Sequence, residues 1–179
     1  MKFSELLFRY HVDGVSTILD EMSKLSDEQL DAKTVLQGDE IPFDRHDKTL
    51  RATMRSVIYN HELWLAAFHG DGLPDLPKKP SVDELKKIHE VSGAKLIDFV
   101  KEIEEKDLWA SEFVDALCEE PVRFQFGAVL GHILVFGTYR RLMAIAALKS
   151  LGVKGLEYGD PINWSRKAGG EAMYVPECV

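Results

Sequence analysis

The chain reads as all-α: an antiparallel four-helix bundle with crossover connections and a short β-hairpin before the last helix. Three observations predict this. Four stretches of about twenty to twenty-six residues carry apolar side chains at three-and-four spacing. Capping residues, prolines or glycines bound them. Only one short stretch alternates as a strand does. At 179 residues the chain suits one compact domain with a full hydrophobic core and is rather short for two.

The first helix is expected from about residue 3 to 24, with Phe3, Leu6, Leu7, Tyr10, Gly14, Ile18 and Met22 on one face. After it, "LSDEQLDAKTVLQGDEIPFDRHD" is polar, broken by Gly38 and Pro42, and reads as a long connection. The second helix, "KTLRATMRSVIYNHELWLAAFHG", presents Leu50, Met54, Val57, Ile58, His61, Trp64, Leu65 and Phe68 on a broad face and stops at Gly70. "DGLPDLPKKP" is a rigid, proline-rich surface connection. Ser81 and Glu84 then form a capping box that opens a third helix, ending near Asp107. Pro121 and the alternation of Val122, Phe124 and Phe126 point to a hairpin around "CEEP". The fourth helix runs from about Phe126 to Leu151 and stops at Gly152. The tail, 153–179, packs back in part through Trp164 and Tyr174 and frays at its end.

Hydrophobic residues make up 45% and charged residues 29%, an ordinary soluble composition. The net charge of −8 opposes a nucleic-acid backbone or an anionic membrane as partner, because both require a basic surface. No secretory leader is read at the N-terminus, and no later segment reads as a membrane span. The expected address is the cytoplasm. Cys118 and Cys178 form no CxxC pair and read as reduced, unreactive thiols. "HGDGLP" is a helix stop rather than a phosphate loop, and "KEIEEKD" a solvated helix end.

Six histidines are present: His11, His46, His61, His69, His89 and His132. None forms HxxxH or HExxH, the spacings that raise two ligands from one helical face. Nevertheless "RYHVDGVSTILDEMSKLSDEQLDA", "TLRATMRSVIYNHELWLAAFHG" and "GHILVFGTYRRLMAIAALKSLGV" with "GDPINW" resemble, in order, the first, second and fourth helices of the DinB/YfiT-like putative metalloenzyme family and its trailing segment. The resemblance implies a four-helix bundle with crossovers, frequently a homodimer, carrying a histidine triad for a divalent metal. On this alignment the three ligand positions fall at Ser56, Phe136 and Arg140, and His132 matches a histidine just ahead of the family's helix-four pair. Phenylalanine offers no lone pair and a guanidinium stays protonated, so the triad is degenerate and no metal is expected there.

The function expected on this basis is a DinB-like bundle that has lost its metal and binds a small anionic ligand, or acts in regulation or stress. Its pocket would comprise Ser56, His61, His132, Phe136, Tyr139 and Arg140, with Arg140 standing where the metal's charge stood. The competing reading of Arg140 is a structural ion pair with Glu62 or Asp13. Arg141 is expected to reach solvent. The alternative is a metal-dependent hydrolase or thiol-dependent S-transferase on a relocated zinc or nickel site, drawing on His61 and His132 with His11 and Asp13. Against it, His61 lies about 140° round the helix from Ser56. A third reading is a dimeric structural protein with a vestigial pocket.

Overall fold

The computed structural model describes residues 1–33, 48–156 and 159–169, and it is mostly helical with one small antiparallel sheet. In order these are α1 (Phe3–Met22), α2 (Asp27–Leu30), α3 (Leu50–His69), α4 (Val82–Glu105), β1 (Glu112–Asp115), β2 (Val122–Gln125), α5 (Phe126–Ser150) and α6 (Pro161–Ala168). The four long helices and the hairpin fall within about two residues of the sequence reading. The short helices α2 and α6 are additions. Ser26 and Gln29 close a capping box on α2, and Asp160 caps α6 ahead of Pro161 at its first turn. In the hairpin Phe113 faces Phe124, and Phe68, Phe99 and Phe126 pack around Phe113 or one another. His46, Tyr174 and Cys178 lie outside the described residues, whereas the Cys118 thiol is exposed.

The long helices pack pairwise, α1 on α4 and α5, and α3 on α4 and α5. Ser4 bonds to Glu104 at 2.8 Å and Asp20 to Lys86 at 2.8 Å, so α1 and α4 run antiparallel. His11 lies beside Gly137 and Gly14 beside Arg141, which makes α1 and α5 parallel. By the same reasoning Trp64 against His132 and Phe68 against Phe126 set α3 antiparallel to α5, and the pairs His61–His89 and Phe68–Phe99 set α3 parallel to α4. Two of the four neighbouring pairs are therefore parallel, which a uniformly antiparallel arrangement would not contain.

A parallel pair in sequence needs a connection that travels back the length of a helix. The segment between α3 and α4 does so. Gly70, at a φ of 71°, turns the chain, and the proline-rich stretch returns beside α3. Arg55 donates to the carbonyls of Pro77 and Leu76 at 2.7 and 3.1 Å, and Arg51 to that of Pro80 at 2.9 Å.

α5 corrects one expectation. It is long and apolar enough to cross a membrane by length and composition, although 44% of its most apolar window is buried against the rest of the protein.

A layer of histidines divides the interior. One apolar cluster contains Val15, Ile18 and Met22 of α1, Met54 and Ile58 of α3, Leu85 of α4, and Ala144 and Leu148 of α5. The other contains Phe8, Leu96, Val100, Val129 and Ile133, with Trp64 and Phe68 packed on it. Between them, on each helix in turn, come His11, His61, His89 and Gly137.

Candidate functional site

His11, His61 and His89 are 0, 1 and 2% exposed, and each comes from a different helix. Gly137 makes their assembly feasible, because a side-chain carbon there would overlap the His11 ring. The Nε2 atoms of His11 and His61 are 2.7 Å apart, a hydrogen bond in which one ring donates and the other accepts. The accepting ring, if neutral, carries its proton on Nδ1. Both Nδ1 atoms are buried without a hydrogen-bond partner, as is that of His89, whose Nε2 donates to the Val12 carbonyl at 3.0 Å.

Burial, followed by the neighbouring charges of His89 and Arg141, pushes His61 down to about 3. Burial, then His61, Arg141 and His89, holds His11 well below the ordinary histidine range. His89 is also lowered by burial, against the opposing effects of its bond to Val12 and the charge of Asp13. The layer is thus neutral at ordinary pH. Among the described residues no group of three or more His, Cys, Asp or Glu side chains is disposed to hold a metal ion. His11 and His61 each spend Nε2 on the other.

Arg141 lies behind this layer and corrects a second expectation, since it is only 5% exposed. Its guanidinium sits 4.7 Å from the centre of the Tyr10 ring, Nη2 donates to Thr138 Oγ1 at 3.3 Å, and Nη1 occupies the space left by Gly14. Nε has no partner, and no carboxylate pairs with this cation among the described residues. Burial lowers its pKa, with Tyr10 opposing. The same fold shows what a neutralised buried arginine looks like. Arg51, 4% exposed, bonds to Asp31 at 2.8 Å, to Asp27 and to the Pro80 carbonyl. Against its burial, the bonds to Asp31 and Asp27 keep its pKa raised.

Arg141 opens onto a cavity of about 320 Å³ between α1, α5 and residues 154–156 and 159–167. Tyr10, Asp13 and Ile18 line one wall, Leu142 and Ile145 another, and Trp164 the α6 side. The Tyr10 hydroxyl donates to the Gly159 carbonyl, and Trp164 Nε1 donates to Asp13 Oδ2 at 2.9 Å. These two bonds tie the trailing segment to α1.

The residues singled out in the sequence are not gathered into one pocket. His132, Phe136, Arg140 and Met143 do follow one line of α5. The His132 and Phe136 ring centres are 5.6 Å apart, Arg140 stands 4.8 Å over Phe136, and Arg140 Nη1 reaches Met143 Sδ at 3.9 Å. Ser56 Oγ, however, donates to the Thr53 carbonyl of its own helix at 2.8 Å, and Tyr139 is 61% exposed. His61 and His132 are not partners in the layer: His132 rests on Trp64, 6.0 Å between centres, while His61 joins His11 and His89. Asp13 faces Trp164. Sequence reasoning passed over His89 and the role of Arg141. The available signals were the glycines inside amphipathic helices, Gly14, Gly93 and Gly137, each at a close side-chain approach. No family model, no curated protein and no solved structure matches the chain.

Proposed function

We propose that the chain is a DinB/YfiT-like four-helix bundle, in up-down-down-up order, that has given up the family's metal triad and holds a small anionic ligand, in a binding, regulatory or stress-related role. Arg141, rather than Arg140, is the anchor. The observation that carries this reading is a guanidinium 95% removed from solvent that lines a cavity without a carboxylate partner among the described residues. Burying such a charge is costly unless an anion arrives to meet it. Arg51 is the internal contrast. A guanidinium also offers a planar, forked set of donors suited to a carboxylate or phosphate.

A homodimer in the cytoplasm belongs to the same proposal. Apolar residues are spread around α5 instead of forming one stripe, and a groove of about 410 Å³ beside α1 leaves Val135 58% and Tyr139 61% exposed. A second copy would cover this face by isologous packing.

Thermal unfolding with sodium acetate, benzoate or phosphate at fixed ionic strength tests the anchor. A ligand at a hundred times its Kd stabilises by about 2.7 kcal/mol. The wild type should gain stability from at least one of these anions and Arg141→Met from none; equal responses in the two proteins would refute the assignment.

The alternative, a metal-dependent hydrolase or thiol-dependent S-transferase, draws on the convergence of His11, His61 and His89. Zinc or nickel bound between the first two would require Nε2 atoms about 3.3 Å apart, given metal–nitrogen distances of about 2.0–2.1 Å. They stand at 2.7 Å with the Arg141 charge nearby, which favours the anion reading.

A further inference from the structure

The cavity at Arg141 carries more than one uncommitted charge. Of the carboxylates that line it, Glu21 pairs with Lys24 at 2.7 Å and Asp160 accepts from the Ile162 amide at the start of α6. Asp13, an exposed residue, differs. Its Oδ2 is held by the Trp164 indole at 2.9 Å, which fixes the side chain, and among the described residues its carboxylate makes no other hydrogen bond or ion pair. Asp13 and Arg141 thus line one cavity from neighbouring helices, each fixed by other contacts, and they do not pair with each other. Two opposite charges held apart across a small space suit a ligand that carries both signs.

The remaining surface defines the rest of the ligand. α1 and α5 run parallel, so Ile18 and Ile145 lie one turn beyond the charged end, with Leu142 and Leu156 beside them. This end is apolar. A volume of about 320 Å³ lies at the bottom of the range of about 300–1,000 Å³ typical of small-molecule pockets, which limits the occupant to a few heavy atoms beyond its charged groups.

We infer that the cavity takes a free α-amino acid with an apolar side chain, its carboxylate on Arg141, its ammonium on Asp13, and its side chain against Ile18, Leu142 and Ile145. This rests on the anion-pocket reading and narrows it.

The test titrates three probes into the full chain by calorimetry: L-leucine, 4-methylpentanoate, which lacks the ammonium, and 3-methylbutylamine, which lacks the carboxylate. Leucine should bind the wild type at least tenfold more tightly than either analogue. Arg141→Met should abolish binding of leucine and of 4-methylpentanoate. Asp13→Asn retains an oxygen for the Trp164 indole, so the fold should persist by near-ultraviolet circular dichroism; leucine should weaken about tenfold or more and 4-methylpentanoate should be unaffected. If 4-methylpentanoate binds as well as leucine and Asp13→Asn changes neither, the zwitterion is wrong while the anion pocket stands. If no probe binds the wild type, or binding survives in Arg141→Met, the anion reading falls with it.

Discussion

The histidine layer makes the protein sensitive to acid in a way that can be computed for one residue. His61 titrates at an ordinary value of 6.5 in the unfolded chain and is pushed to about 3 in the fold. Below pH 6.5 the unfolded state therefore binds a proton that the folded state refuses. The stabilisation is fully present above 6.5, falls as the pH drops, and is exhausted below about 3. The slope is about 1.36 kcal/mol per pH unit for one group, so the loss between pH 8 and pH 5 is about 2 kcal/mol. His11 adds a loss of the same sign. The perturbation is His61→Gln, whose amide can still hydrogen-bond to His11 but cannot titrate. Urea unfolding of both proteins across this pH range, with the difference taken at each pH, cancels the carboxylates they share. The wild type should lose about 2 kcal/mol more than the variant between pH 8 and pH 5, with about one further proton taken up on unfolding. Parallel stability curves, or a wild type that gains stability in acid, would refute the burial of a neutral His61.

Gly137→Ala should destabilise by about 1–3 kcal/mol in urea although alanine favours helix, because the methyl group meets the His11 ring; His11→Ala in the same chain should recover most of the loss. Asp31→Asn removes the 2.8 Å partner of Arg51 and leaves mainly Asp27, whose side chain is 82% exposed, so a loss of about 1–3 kcal/mol is expected by the same assay. Sedimentation should show the wild type at twice the chain mass and Val135→Glu at the single-chain mass, since the substitution places a charge in the apolar α5 groove. A chelator should leave the melting temperature unchanged, whereas a fall accompanied by release of zinc or nickel would favour the metal-dependent alternative.

Helix positions were legible because burial on one face leaves a periodic record, as in Val57, Ile58 and Leu65 of α3, and because Ser81 with Glu84 and Gly70 mark their own ends. α2 was passed over because four residues are too few to show a period, and α6 because its exposed faces give no apolar stripe. The site was less legible for a physical reason. Adjacent arginines point about 100° apart on a helix, so the sequence "YRR" does not say which guanidinium faces the α1 cavity. The glycine that admits Arg141 stands 127 positions away on another helix, and spacing within α5 contains no trace of it. His89 continues the buried line of Leu85, Ser92 and Leu96, where an imidazole reads as one more core residue until His11 and His61 are placed beside it.

The most direct test of the account is the stability of Arg141→Met without any added anion, measured by urea unfolding at pH 7.5. Methionine has a similar reach and can keep the contact with Tyr10; replacing even paired buried charges by apolar side chains of similar volume is often neutral or stabilising by about 1–4 kcal/mol, and an unpaired one has less to lose. The account predicts a variant at least as stable as the wild type, because Arg141 is retained for a ligand at some cost to the empty fold. A loss of several kcal/mol would make Arg141 a structural residue like Arg51 and would contradict the claim that its cavity is built for an anion.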